Sequence, residues 1–170
     1  FGVVGATAHF QVGFDSSGDS PVAYGGHSAE TINYVSCHDD LSLVDKLRAS
    51  APEGMTEEEL VRFDKLAQTV VLTAQGIPSL FAGEEMLRTK GGVSNSHDSP
   101  DRVNRIDWSF KADHKDVFDY YRGLIALRRT HPAFRLATAA EIERHLRFLD
   151  TGDTHVVAYM LVDHAGDDPW

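Results

Sequence analysis

His38-Asp39-Asp40 sets an imidazole beside two carboxylates, and Glu84-Glu85, His97-Asp98 and the pair Asp101 and Arg105 add further ionisable groups at close spacing. Such groups can hydrogen-bond a polar substrate, move a proton or bind a cation. No two histidines stand at the i, i+4 spacing of a helical zinc site, so no metal site is assigned. The loop carboxylates Asp98 and Asp101 leave Ca2+ open as the one cofactor to consider. The single Cys37 excludes an internal disulfide and a multi-cysteine zinc centre. Its place next to His38 does not make a protease, because a thiol and its base must face each other in space. Within an apolar run, Cys37 reads as a buried structural thiol.

The elements that must position these groups follow from the hydrophobic pattern. Thr31 to Cys37 is β-branched and aromatic, and reads as a strand that delivers His38 and Asp39 at its C-terminal end. Leu41 to Ala49 carries Leu43, Val44 and Leu47 at helical spacing. Asp40 reads as the cap of that helix. Thr56 to Glu59 is a capping box that opens a second helix. Leu60, Phe63, Ala67, Val70, Val71 and Ala74 predict its apolar stripe, and Gly76 its left-handed end. Phe63 falls in that stripe, and Asp64 beside it reads as a solvated helix residue. Ile77 to Ala82 predicts a second short strand, again with carboxylates (Glu84, Glu85) just beyond it.

A polar loop over 86–109 leads to a third helix that ends at Thr130 before Pro132. Glu143 to Leu149 and His155 to Val162 predict two strands turning at Thr151-Gly152-Asp153. Residues 1–27, rich in Gly, Ala and Ser, read as a long irregular loop that either lines a site or trails as a leader.

Strand, helix, strand, helix is an order that demands a parallel sheet with right-handed crossovers. Two such strands cannot bury both faces of a sheet. The chain therefore reads as an α/β protein: a partial (β/α)8 TIM barrel, with the beginning of an all-β sandwich after it. It reads as incomplete at both ends, and alone it is expected to expose apolar surface and self-associate. A net charge of −10 argues against a nucleic-acid partner. No apolar run is long enough for a membrane span. A chain starting at Phe1 reads as processed or excised, which leaves extracellular, cell-surface and cytoplasmic locations all open.

Three stretches resemble one known family. Tyr34-Val35-Ser36-Cys37-His38-Asp39 is similar to the seventh-strand motif of the alpha-amylase clan of glycoside hydrolases. The run from Gln75-Gly76-Ile77-Pro78 to Gly83-Glu84-Glu85 resembles its eighth-strand motif. Leu87-Arg88-Thr89-Lys90 with the segment from Asn95 to Trp108 resembles the loop after the eighth strand in type I pullulanases, which cut α-1,6 branch points. The resemblance implies strands 7 and 8 of the catalytic barrel with their helices over 1–136, and the start of the C-terminal β-sandwich over 137–170.

By the same resemblance Asp39 is the carboxylate that stabilises the transition state, and His38 donates to a hydroxyl of the same sugar. Asp101 and Arg105 grip the neighbouring sugar. The implied partner is an α-glucan such as pullulan, amylopectin or a glycogen-like polymer, with no nucleic acid and no membrane. The nucleophile and general acid of this clan belong to strands upstream of Phe1, so the chain alone is expected to be inactive. Arg62-Phe63-Asp64 looks like the nucleophile motif but sits inside a helix, where it is a decoy. Where the family has Asn after the His-Asp pair, this chain has Asp40. Alternative readings are an α-1,4-cutting or glycogen-debranching relative, and a non-catalytic glucan-binding protein.

Overall fold

The computed structural model describes residues 1–13 and 23–169, and it divides into two compact units. The first holds residues 1–33, 73–78 and 127–170, and the second residues 34–72 and 79–126. The element order is β1 (Ile32–Asn33), α1 (Leu43–Ser50), α2 (Glu57–Thr73), β2 (Ile77–Pro78), α3 (Asp101–Asn104), α4 (Phe110–Asp113), α5 (Lys115–Thr130), α6 (Ala139–His145), β3 (Leu146–Leu149) and β4 (Ala158–Leu161). Short 3-10 turns punctuate it at Gly2–Val4, Ser28–Glu30, Glu84–Met86, Pro132–Arg135 and Ala165–Asp167.

In the first unit β1 and β2 run parallel, with Ile32 opposite Ile77 and Asn33 opposite Pro78. The parallel direction agrees with the βαβ order of the sequence. The strands are shorter than the expected 31–37 and 77–82. Pro78, which has no N–H to offer a ladder, ends the second one. Gly76 leads into β2 with φ +106°, and a Cβ there would stand 2.8 Å from both Asn33 Nδ2 and Thr31 Oγ1. Its glycine is needed for this close approach to β1 and not as a helix cap, since α2 has already ended at Thr73.

Gln75 is fully buried beside this crossing. Its amide donates to Ala133 O and its Oε1 accepts from Leu136 N–H, both at 2.9 Å. Buried Arg128 donates to Ala74 O and Gly76 O at 2.7 and 2.6 Å. These side chains satisfy the carbonyls left over where α2 gives way to β2.

The same unit carries an apolar core of Val4, Ala133, Leu136, Ile142, Leu146 and Ala165, flanked by Phe148, Tyr159 and Leu161. β3 and β4 pair antiparallel from Leu146–Leu161 to Leu149–Ala158, the hairpin that the Thr151-Gly152-Asp153 turn predicts. Glu143 to His145 are not strand. They close α6, whose capping box is reciprocal: Thr138 Oγ1 accepts from Glu141 N–H at 3.2 Å, and Glu141 accepts from Thr138 N–H at 2.9 Å. The first residues are not a loose leader, because Val4, Ala6 and Thr7 are buried and Gly25 N–H donates to Ala6 O at 3.1 Å. The part of the expected loop at 14–22 lies outside the described residues.

In the second unit Val44, Leu60, Leu87, Val117 and Tyr121 form the core, with Leu47, Met55 and Val61 packed against it. The capping box at the start of α2 is present: Thr56 N–H donates to Glu59 at 2.8 Å and Glu59 N–H to Thr56 Oγ1 at 3.2 Å. The buried face of α2 differs from the expected stripe. Leu60, Asp64, Gln68, Val71 and Leu72 face inward. Phe63 and Val70 stand 45% and 49% exposed, and Leu66 is exposed too. Asp64 is therefore no solvated residue, and it accepts a 2.8 Å hydrogen bond from the Tyr121 hydroxyl. The apolar stripe counted from hydropathy alone missed the two polar positions that the core of this unit takes in. No described helix is long and apolar enough to cross a membrane.

Candidate active-site turn and its support

Beyond β1 the chain bends through 38–40, with Asp40 at φ +58°. This turn presents His38 and Asp39 outward. Their side chains are 82% and 81% exposed, with His38 Nε2 3.5 Å from Asp39 Oδ1. Asp40 does not cap α1; Ser42 holds the N-cap position, and its hydroxyl bonds Asp45 at 2.8 Å. Cys37 is neither in a strand nor buried. It is a free, partly exposed thiol whose Sγ lies 3.8 Å from Asp39 O. β1 ends at Asn33, so Cys37 lies beyond the strand that hydropathy assigned to it.

The turn is held by two buried networks. In the first, Glu84 accepts from the Ser36 hydroxyl, from Gln68 Nε2 at 2.8 Å and from Phe81 N–H at 3.2 Å. Burial pushes the Glu84 carboxyl up to about 7; the hydrogen bonds from Ser36 and Phe81 work against that rise, and the Asp64 charge adds to it. Burial likewise raises Asp64 to about 6, with the Tyr121 hydroxyl and Lys65 opposing. Among the described residues Asp64 Oδ2 and Gln68 Oε1 are buried without a hydrogen-bond partner. A carboxyl there is more stable carrying its proton.

The second network centres on Lys90, only 2% exposed. Its ammonium donates to His38 O at 3.1 Å and Ser94 O at 3.3 Å. Its backbone N–H donates to Asp45 Oδ2 at 2.7 Å, and Thr89 Oγ1 donates to Asp45 Oδ1. Burial would raise Asp45, but the hydrogen bonds from Thr89, Lys90 N–H and Ser42 outweigh it and hold the carboxyl below its ordinary range. Lys90 and Asp45 thus tie the His38 turn and the start of α1 to the loop after β2.

That loop carries the other two expected residues. Asp101 opens α3 and Arg105 follows it, with Arg105 N–H donating to Asp101 O at 2.7 Å. The Arg105 guanidinium does not pair with Asp101; it reaches Asp107 Oδ2 at 3.8 Å. Arg88 braces the loop by donating to Ala82 O at 2.9 Å and to Asn104 O, with its guanidinium 4.5 Å from the centre of the Phe81 ring. A cavity of about 280 Å³ opens here, lined by Arg88, Lys90, Arg102, Arg105, Asp107 and Phe110 among others. Trp108, beside it in sequence, is largely exposed.

Exposed acids and an imidazole thus stand on a braced turn, next in the same unit to a basic, aromatic-edged cavity. Comparison with known proteins shows what the chain is similar to. Residues 142–170 match the model of the pullulanase all-beta domain. The pullulanase of Bacillus subtilis is 42% identical over 142 residues, which is 84% of this chain and 20% of that protein. Pullulanase 1, chloroplastic, of Arabidopsis thaliana is 30% identical over 171 residues, covering 81% of this chain and 18% of that protein. The crystal structure of the Paenibacillus barengoltzii pullulanase in complex with maltohexaose and alpha-cyclodextrin superposes with a TM-score of 0.88 at 46% identity, over 99% of this chain and 24% of that one.

The chain is pullulanase-like.

It spans about a fifth of the length of the curated pullulanases it matches. Within the pullulanase-like chain, the turn with His38 and Asp39 and the loop with Asp101 and Arg105 share one unit, joined through Lys90. Sequence reading named these four residues, all exposed, as candidates, and did not name the side chains that support the segments carrying them. Asp45 and Lys90 carried no hydropathy signal. The capping box Thr138-x-x-Glu141 is a sign of α6 present in the sequence that the sequence reading did not use.

Proposed function

We propose that this pullulanase-like chain is part of a retaining glycoside hydrolase that cleaves α-1,6 linkages in pullulan and branched α-glucans. The observation that carries the reading is the 46% identity, over 99% of the chain, to a pullulanase crystallised with maltohexaose and alpha-cyclodextrin. In this reading β1 and β2 are strands 7 and 8 of a (β/α)8 barrel over 1–136, and 137–170 begins the β-sandwich. The parallel Ile32–Ile77 pairing supports it, as does the match of 142–170 to the all-beta domain. Barrel enzymes carry their sites on the loops beyond the C-terminal ends of the strands, which is where His38, Asp39, Asp101 and Arg105 fall in the sequence.

Asp39 supplies a fixed negative charge whose hydrogen bonds to sugar hydroxyls strengthen as the ring gains positive charge toward the oxocarbenium-like transition state. His38 donates to the same sugar. Asp101 and Arg105 hold the next one, Arg105 through its planar row of donors. Retaining hydrolysis needs a nucleophilic carboxylate and an acid about 5–5.5 Å apart, and neither is assigned within this chain. Asp64 does not fill the role, because it is buried in α2 against Tyr121. Glu84 does not either, because its two oxygens are occupied by Ser36, Gln68 and Phe81 N–H.

The test compares the intact protein with the 170-residue chain on pullulan, amylose and amylopectin, following reducing ends. The intact protein is expected to cut pullulan and to leave amylose uncut, and the chain alone to cut nothing. Hydrolysis of amylose but not pullulan would replace the reading with an α-1,4-cutting one. Binding of glucan by the intact protein without any hydrolysis would replace it with a carbohydrate-binding one.

A further inference from the structure

We propose that Cys37, His38 and Asp39 form a site for a borderline-soft divalent cation such as Zn2+, and that the cation, by occupying the turn, blocks the glucan. The proposal rests on the role given above to His38 and Asp39. The cation site itself stands on geometry alone. One donor atom from each of the three side chains lies within 4.8 Å of the other two, and among the described residues no other group of three such donors comes together. The His38 Nε2 to Asp39 Oδ1 separation of 3.5 Å is about the edge of a tetrahedron with metal–ligand bonds of roughly 2.1 Å. Thiolate, imidazole and carboxylate are the donor types that Zn2+ takes, and three protein ligands leave a fourth position for water.

The backbone that carries the donors is also held in advance. Three consecutive side chains converge only where the backbone bends, and the bend here is held by the buried Lys90 ammonium on His38 O and by the Ser36 hydroxyl on Glu84. The thiol has no disulfide partner and is partly exposed, so a cation can reach it. On binding, the Cys37 S–H proton passes to solvent as the metal–sulfur bond forms, a water leaves the cation for each ligand gained, and no electron moves. The bound cation neutralises the Asp39 charge and takes the His38 nitrogen, the two features that a glucosyl hydroxyl would use. Inhibition is therefore expected to compete with substrate and to be reversed by a chelator.

The experiment titrates the intact protein with Zn2+ by calorimetry in the absence of substrate, and separately follows pullulan hydrolysis at rising Zn2+. Wild-type protein is expected to bind one Zn2+ that protects Cys37 from thiol reagents, and to lose activity in parallel until EDTA restores it. Cys37→Ser is expected to weaken that binding at least tenfold and to keep its hydrolysis at Zn2+ levels that halve the wild-type rate. Cys37→Ala serves as a second variant with the same expectation. Equal stoichiometry and affinity in wild type and both variants, or Zn2+ binding that leaves Cys37 fully reactive, would overturn the site. Loss of the glycosidase reading is distinguishable, since it would show as no hydrolysis before any metal is added while the calorimetric difference persisted.

Discussion

Asp39 and Glu84 show how differently two carboxylates on neighbouring segments are used. Asp39 is presented to solvent, and replacing it by Asn removes only the charge. In the intact protein Asp39→Asn is expected to lower kcat on pullulan by about a hundred- to a thousandfold, with little change in thermal stability; a near-wild-type kcat would remove Asp39 from its proposed role. Glu84 instead titrates inside the fold. Its folded pKa of about 7 lies above its unfolded value of 4.5, so the folded state holds a proton that the unfolded state has lost over that interval. Stability contributed by the neutral form is thus fully present below pH 4.5 and is lost as pH rises toward 7. Glu84→Gln keeps acceptors for Gln68 and Phe81 N–H and offers an amide to Ser36. It is expected to flatten the fall in denaturation midpoint between pH 5 and 8, and an unchanged slope would show that Glu84 is not the titrating group. Hydropathy made Asp39 legible because a His-Asp pair at the end of a β-branched run stands out. It hid Asp64, Gln68 and Glu84, since a buried polar network has no periodic signature and depends on partners up to 57 residues away, as with Asp64 and Tyr121.

At the level of elements, helices with their own start signals were the most legible. α2 begins one residue after its capping Thr56, as the box requires. α6 shows the cost of starting a strand at Glu143, inside the helix that a capping box opens: its short amphipathic turn buries Ile142 completely, and only then does the chain extend into β3. Strand lengths were the least legible, because a strand ends where its partner stops pairing, and that is a property of two segments. Gly76 marks the place in the first unit where this pairing is tightest. Asn33 Nδ2 is committed to Gln75 O at 2.6 Å and Thr31 Oγ1 to Gly5 O at 3.1 Å, so neither can swing away from an added methyl without losing its bond. Gly76→Ala is expected to destabilise the protein by about 1–3 kcal/mol from backbone strain alone, and more with the clash. Chemical denaturation reads the change, and a variant as stable as wild type would mean that the approach of β2 to β1 is looser than described.

At the level of the whole molecule, charge and length excluded classes of function without choosing one. The net charge of −10 fits a neutral polymer as partner better than a polyanion. The exposed stripe of Phe63, Leu66 and Val70 on α2, at helical spacing, is the kind of surface that more chain is expected to cover, in line with a relative about four times as long. What the sequence carried most clearly was the set of motifs that drew the family resemblance; what it left out was which buried lysine and carboxylates hold those motifs in place. The central claim is that the turn at His38 and Asp39 is aimed at a glucosyl ring. The most direct measurement is a crystal structure of the intact protein soaked with a branched maltooligosaccharide. The account predicts Asp39 and His38 in hydrogen-bond contact with the hydroxyls of one glucosyl unit, and Asp101 and Arg105 with its neighbour. A sugar bound elsewhere, with the Asp39 carboxylate turned away from it, would contradict the account.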